Sequence, residues 1–362
     1  MRVPALPAAP AALLAEHSAA HDTLAAALGA APSGVRDVFT ALQRRQLVEA
    51  LAYVQPVQLA DGDIRRFPPA RAHLTHEQEL RIAGASAAFR HLDARAAMRR
   101  LGRLSSVLAP STPCVLHALL EGLNPSGRET NAGMYRVTPT GWNAAVNPFR
   151  HPSAEQVEAM VGDAVAMAAD APAPGVVRGA WLTFTMLCIH PFVDGNGRVA
   201  RALSLAVGAD DLAAGIDWGS LEQWSVARAA YINALQEGQR CGVYDPDALD
   251  AAPFIRYAVS ASTTGAARCT ERVHLLNERW LAAEVDDASE RAVLVAVECS
   301  GGATARELEA LGLPVAELRQ VLNQLLRRGR LQWMERPAGR RSATCPDRRH
   351  LTVTAGTPTA RR

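Results

Sequence analysis

The residues able to do chemistry are concentrated in one run, His190-Pro191-Phe192-Val193-Asp194-Gly195-Asn196-Gly197-Arg198-Val199-Ala200-Arg201. The Gly-Asn-Gly turn admits left-handed backbone, so successive N–H groups can face one concavity. If Arg198 opens a helix, that concavity lies at its positive end. Arg198 and Arg201, three apart, share a helix face and can clamp polyphosphate oxygens; Asp194 is placed to hold a hard cation such as Mg²⁺ that bridges phosphates. His190, with an ordinary pKa near ~6.5, can take a proton from an attacking hydroxyl at neutral pH. The run reads as an anion cradle with a base beside it.

Composition narrows what such a cradle can be. The chain has 362 residues, 49% hydrophobic and 20% charged, which suits two or three folded cores. All 38 basic residues are arginine, and the absence of lysine excludes a lysine-dependent phosphate loop, a protein-kinase site and Schiff-base catalysis. The cysteines Cys114, Cys188, Cys241, Cys269, Cys299 and Cys345 have no paired spacing, so neither a zinc site nor a redox motif is readable. The N-terminus makes a poor signal peptide and the most apolar stretch, Ala180 to Ile189, is too short to cross a bilayer. A cytoplasmic protein without membrane partners is expected.

The elements that must position the run are mostly helical, with apolar residues at three and four spacing in Ala/Leu/Arg-rich segments. A leading helical region over 1–113 is broken by the Pro/Gly/Asp-rich stretch Gln55 to Pro69, resumes at about Glu77 to Leu108, and is punctuated at Pro110 to Pro113. An apolar helix through Val176 to Ile189 delivers His190, and Gly133 to Thr138 has the local strand character of a hairpin or flap.

At His190 to Arg201 the sequence resembles the Fic family, whose signature His-x-Phe-x-(Asp/Glu)-Gly-Asn-Gly-Arg-x-x-Arg it matches at every specified position. Leu116-His117-Ala118-Leu119-Leu120, Gly133-Met134-Tyr135-Arg136 and Tyr231-x-x-Ala234-Leu235 extend the likeness over roughly Cys114 to Ser262. The resemblance implies a mainly α Fic-fold core with a short β-hairpin flap, transferring AMP from ATP, with Mg²⁺, to a Ser, Thr or Tyr hydroxyl of a protein target or of itself. It implies His190 as general base, Phe192 as loop anchor, Asp194 as metal ligand, Gly195, Asn196 and Gly197 as the anion hole, and Arg198 and Arg201 on the β- and γ-phosphates. Tyr231 would border the nucleobase, and Tyr135 and Arg136 would lie in the target-docking flap. Two positions depart: Thr183 replaces a frequent histidine and Ile232 a frequent tyrosine. The family's inhibitory (Ser/Thr)-x-x-x-Glu-(Gly/Asn) is missing. Glu121-Gly122 and Glu237-Gly238 follow His117 and Asn233, and Ser86 is followed by Arg90. The brake is then absent, supplied by an inhibitory partner, or carried by a divergent glutamate such as Glu77 or Glu79. The missing motif argues against AMP removal as the reaction.

The remaining chain reads as the Fic domain over 114–265, a linker helix over 266–287, a winged helix-turn-helix over 288–350 and a disordered tail over 351–362. Ser289 to Cys299 is a helix; Thr304 to Leu311 opens with a capping box; Val315 to Arg328 carries Val315, Leu318, Val321, Leu322, Leu325 and Leu326 on one face. Leu331 to Met334 and Ala343 to Cys345 would be the strands of the wing. Arg319, Arg327, Arg340 and Arg341 are the candidate DNA contacts, set against a docking or homodimer role for the same module, with Glu317 counting against DNA. A DNA-binding regulator whose core only senses nucleotide is the competing reading.

Overall fold

The computed structural model describes residues 2–52, 66–68, 74–123, 131–140, 149–213, 215–335 and 349–354. It is mostly helical, as the periodicity indicates. The described residues fall into two compact units, one within Met1–Thr23, Leu47–Gln55 and Thr75–Ala267, the other within Leu24–Gln46, Pro56–Leu74 and Arg268–Arg362. The leading region therefore does not form a separate N-terminal body: α1 (Ala11–Ala30) and α2 (Ser33–Leu51) divide their residues between the two units. Among the described residues no helix is long and apolar enough to cross a membrane.

In the first unit, Thr75 and Gln78 exchange side-chain to backbone hydrogen bonds of 3.0 and 3.2 Å, a capping box that opens α3 (His76–Arg100). Pro113 starts α4 (Thr112–Glu121), and α5 (Ala154–Asp170) buries Val157, Met160, Val161, Ala164, Val165 and Ala168 at helical spacing. The centre is α6 (Gly175–Ile189), buried on nearly every side. Such a helix must be covered all round, and α5 and α7 (Asn196–Gly208) are among the elements packed on it. The pair α6 and α7 approach closely through Gly179, where an added Cβ would lie 2.9 Å from the Ser204 carbonyl. Beside it Thr183 Oγ1 is 3.0 Å from the Gly179 carbonyl and 3.1 Å from that of Ala200, so the hydroxyl standing where the resemblance offers a histidine joins the two helices. Asp210 ties in α3, pairing with Arg99 at 2.5 Å and Arg178 at 3.0 Å.

The helices α8 (Ser220–Val226), α9 (Arg228–Gly238) and α10 (Ala252–Ala282) follow. The last is one continuous 31-residue helix, so the expected boundary between core and linker helix at 265/266 falls inside a single element. A buried polar cluster closes the unit on α1: Ser262 Oγ donates to Asp217 at 3.0 Å and accepts from Nε2 of His17 and His21 at 3.1 and 3.0 Å. This uses all the bonding capacity of one hydroxyl. At the chain start Trp181 Nε1 reaches the Ala5 carbonyl at 3.1 Å and Tyr244 donates to that of Arg2 at 2.8 Å.

The second unit contains α11 (Ala288–Cys299), capped by Asp287 Oδ1 on the Glu290 N–H at 2.8 Å. After it come the short α12 (Ala305–Leu308) with a 3₁₀ turn to Leu311, then α13 (Val315–Arg327), which buries Leu318, Val321, Leu322 and Leu325. Val315, expected on that face, is 52% exposed in the first turn. The strand β1 (Leu331–Glu335) pairs antiparallel with β2 (Arg349–Val353), Trp333 opposite Leu351. The expected strand Ala343 to Cys345 lies outside the described residues. The expected disordered tail begins too early, because Leu351 is fully buried and exchanges backbone hydrogen bonds with Ala303 at 2.8 and 3.1 Å.

Gly179→Ala is expected to cost about 1–3 kcal/mol, because the backbone of α7 rather than a movable side chain blocks the new methyl group. Chemical denaturation followed by circular dichroism measures it, and an unchanged midpoint would show that the two helices can part freely.

Candidate active site

The turn between α6 and α7 is closed by one side chain. Asn196 Oδ1 accepts from the Phe192 N–H at 2.9 Å while its Nδ2 donates to the Phe192 carbonyl at 2.8 Å, bracketing the five-residue loop. Phe192, fully buried, stacks on His117 with ring centroids 4.0 Å apart and planes 9° apart. His117 in turn donates from Nε2 to the Asp194 carbonyl at 3.0 Å and accepts at Nδ1 from the Gly133 N–H at 2.8 Å, which fixes a neutral tautomer. Burial lowers its pKa. Gly195 has φ 78° and caps α7, and a Cβ there would meet Glu121 Oε1 at 2.8 Å. Among the described residues the N–H groups of Asn196 and Gly197 have no protein partner, so the first turn of α7 presents free donors at its positive end. The Asn196 side chain is thus spent on the loop, and only its backbone remains for an anion.

His190 is the C-cap of α6 and takes the left-handed conformation, φ 53°, which is costly for a β-carbon-bearing residue and is held here by several bonds. Arg136 ties this residue and the chain around it together. Its Nε donates to the His190 carbonyl at 2.8 Å, Nη2 to the Pro152 carbonyl at 2.6 Å, Nη1 to that of Thr138 at 3.1 Å, and its backbone N–H to the Pro191 carbonyl at 2.9 Å. This guanidinium sits at the negative end of α6, where a cation is favoured. Arg136, expected in the target-docking flap, is 3% exposed and faces inward. Residues 131–140 form no strand, and the Arg136 N–H is bonded to the Pro191 carbonyl in the turn after α6; 141–148 lie outside the described residues. Tyr135, half-buried, tilts over Phe192 with centroids 5.5 Å apart and is hydrogen-bonded to Cys114, its pKa raised by burial.

The His190 ring bonds the Leu187 carbonyl through one nitrogen, leaving the other as a lone pair, and tilts 30° over His151 with centroids 4.4 Å apart. His151 donates from Nδ1 to the Cys188 carbonyl at 2.9 Å, and burial lowers its pKa. Burial, then the His151 and Arg136 charges, pull the His190 pKa down to about 3. The ring is therefore neutral across the physiological pH range. Because the unfolded chain takes up this proton near ~6.5 and the folded chain only near 3, falling pH across that window favours unfolding.

Beside the turn, Arg198 is 5% exposed and donates from Nε to Glu121 Oε1 at 2.5 Å; its Nη2 is 3.4 Å from Asp194 Oδ2. Arg201, also buried, donates to the Leu51 carbonyl at 3.1 Å. The Asp194 side chain is 57% exposed and its Oδ1 accepts from the Gly195 N–H at 2.7 Å. A single half-exposed carboxylate suits a Mg²⁺ that arrives with phosphates and keeps its waters; among the described residues no cluster of three or more ligating side chains suits a resident ion. The predicted residues His190, Asp194, Gly195, Asn196, Gly197, Arg198 and Arg201 are thus brought together. Tyr231 packs in an aromatic cluster with Trp224, Phe254 and Tyr257, centroids 5.4–6.1 Å away. Glu77 pairs with Arg81, and Glu79 lies 3.9 Å from His76, both in the exposed first turn of α3. In the other unit Arg319 and Arg327 are exposed on α13, and Arg340 and Arg341 lie outside the described residues. Three residues of the site carry no motif: His117, Glu121 and His151. A His and a Glu four apart at the end of an apolar helix were the available signal for the first two.

Residues 108–207 match the model of the Fic/DOC family. The fold is similar to that of a Fic family protein from Desulfovibrio desulfuricans G20, with 17% identity, TM-score 0.52 and 99% of each chain covered. It is similar also to Fic-1 (residues 134–508) from C. elegans, with 20% identity, TM-score 0.50 and 72% of each chain covered. A Fic domain containing signaling protein from Bacteroides thetaiotaomicron shares 15% identity with TM-score 0.51 over 72% of this chain and 98% of its own. No curated protein matches.

Followed by NMR in the free protein, the His190 Cε1–H resonance is expected to show no inflection from pH 8 down to pH 5. A midpoint near 6.5 would mean that the ring is solvated.

Proposed function

We propose that this chain, which carries a Fic/DOC domain over residues 108–207, transfers AMP from ATP to a hydroxyl side chain of a protein target. The family includes AMP-transferring proteins and transferases of other nucleoside monophosphates. The observation that carries the narrower reading is the juxtaposition at one turn of a neutral imidazole, a free helix N-terminus and two buried arginines.

In this reading the β- and γ-phosphates lie against Arg198, Arg201 and the N–H groups of Asn196 and Gly197, which leaves the α-phosphate toward His190. Asp194 would hold a Mg²⁺ that arrives with the nucleotide, and the ion would supply charge neutralisation. The hydroxyl oxygen forms its bond to the α-phosphorus as the bond to the β-phosphate oxygen breaks. His190 takes the hydroxyl proton, and pyrophosphate departs on the arginines. An imidazole with a pKa of about 3 is a weak base in the free protein. Two effects ease the proton transfer at the moment of need: phosphate charge arriving beside the ring stabilises imidazolium and raises its basicity, and the attacking oxygen grows acidic as it bonds to phosphorus, so a weaker base suffices. Left-handed backbone at His190 and the Arg136 tether hold the ring where that transfer can occur.

The purified protein incubated with Mg²⁺ and ATP labelled at the α-phosphate is expected to incorporate an AMP mass into itself or a target. His190→Ala should abolish incorporation with nucleotide binding retained, and Arg201→Ala should mainly weaken nucleotide binding. Transfer at the wild-type rate by His190→Ala would remove the general-base assignment.

A role for the second unit in reading DNA is supported by exposed Arg319 and Arg327 on the outer face of α13, and by the order of three helices followed by an antiparallel strand pair. Glu317, bonded to Ser289 at 2.7 Å, sets a negative charge in the first turn of the same helix. Duplex binding that falls steeply with salt and is lost on replacing Arg319 and Arg327 is the expected result; no binding at low salt excludes the role.

A further inference from the structure

Glu121 lies outside the motif, at the last turn of α4, yet it is the most enclosed charge in the site, with no solvent exposure. Its Oε1 takes the Nε–H of Arg198, the inner edge of the guanidinium, and lies beneath Gly195 on the protein side of the loop. It does not bridge the terminal nitrogens, which are the edge an arriving phosphate would use: Nη2 has only the 3.4 Å contact to Asp194, and Nη1 has no partner among the described residues. A carboxylate that blocked the cradle would sit on the outer edge and be exposed to the concavity. This one does neither.

We infer that Glu121 is a positioning residue for Arg198: it holds the guanidinium by its inner edge so that both terminal nitrogens face the anion cradle. The inference rests on the reading of that cradle as a polyphosphate site. The geometry makes it specific. A guanidinium is planar, so one bond at Nε to a carboxylate fixed on another helix sets the direction of the whole fork. Glycine at 195 is then required twice, for its positive φ and because a β-carbon would strike Glu121. The second carboxylate oxygen, Oε2, is buried without a partner among the described residues. The carboxylate is therefore retained in a place where solvation does not reward it. Removing a negative charge from an anion site would by Coulomb's law tighten anion binding, so positioning and simple charge predict opposite signs.

Inorganic pyrophosphate is the probe, titrated calorimetrically into the full chain and its variants. Glu121→Leu, which removes the acceptor, is expected to bind roughly tenfold more weakly. Glu121→Gln, which keeps an oxygen acceptor of the same size, is expected to bind as tightly as the wild type or more tightly. In the wild type, the Arg198 Nε–H proton, assigned through its absence in Arg198→Lys, is expected to stay protected from water exchange both free and with pyrophosphate. This readout serves even if Glu121→Leu fails to fold. Equal or tighter pyrophosphate binding by Glu121→Leu, or loss of Nε–H protection on pyrophosphate binding, would overturn the inference and make Glu121 a brake. No pyrophosphate binding by the wild type would overturn it together with the cradle. Wild type that binds pyrophosphate with the expected variant order but transfers no AMP would uphold the inference while the transferase reading fails.

Discussion

Everything at the site depends on how closely α6 and α7 approach, because His190 ends one helix and the N–H groups of Asn196 and Gly197 begin the other. Gly179 allows the contact, Thr183 bridges it, and the Asn196 amide closes the turn between them by bonding both polar backbone groups of Phe192. A loop bracketed in this way loses little further entropy on binding, so its donors are preorganised. The surrounding elements act on this unit from outside: α4 through His117 and Glu121, α3 through Arg99 on Asp210, and residues 133–138 through Arg136.

The turn from His190 to Arg201 was legible in the sequence because it combines residue types at fixed short spacing: glycine for φ 78° at 195, arginines three apart, a histidine at the end of an apolar run. The helices α6, α11 and α13 were legible from period and caps. What escaped depends on contacts far apart in the chain. The inward turn of Arg136 is decided by carbonyl groups 16 and 54 residues away, and Glu121 meets Arg198 across 77. Strand character at Gly133 to Thr138 gave way because the segment's N–H at Arg136 was already bonded, and local propensity cannot report that. The early end assigned to the chain's order failed for a similar reason: Leu351 is one buried apolar residue in a polar tail, and its partner, Ala303, is remote.

The site also shows how a chain whose basic residues are all arginine buries its cations. A buried guanidinium has no ready way to shed its charge, so each one must be matched by neighbouring groups. Arg136 is matched by backbone carbonyls, Arg178 by Asp210 together with two carbonyls, and Arg198 by two carboxylates of unequal exposure. The two neighbours of Arg198 divide its edges: the enclosed Glu121 holds the inner edge, while the half-exposed Asp194 stands at the outer one.

The tether through Arg136 has a mechanical meaning. The segment carrying Gly133, Tyr135 and Arg136 is fastened to the Pro191, His190 and Pro152 carbonyls and, through His117, to that of Asp194. Any load placed on this segment is transmitted to the backbone on both sides of the imidazole, because these bonds leave no slack between them. Displacement of this segment and rotation of the His190 imidazole are one coordinate, because the backbone that carries the ring moves with the residues bonded to it.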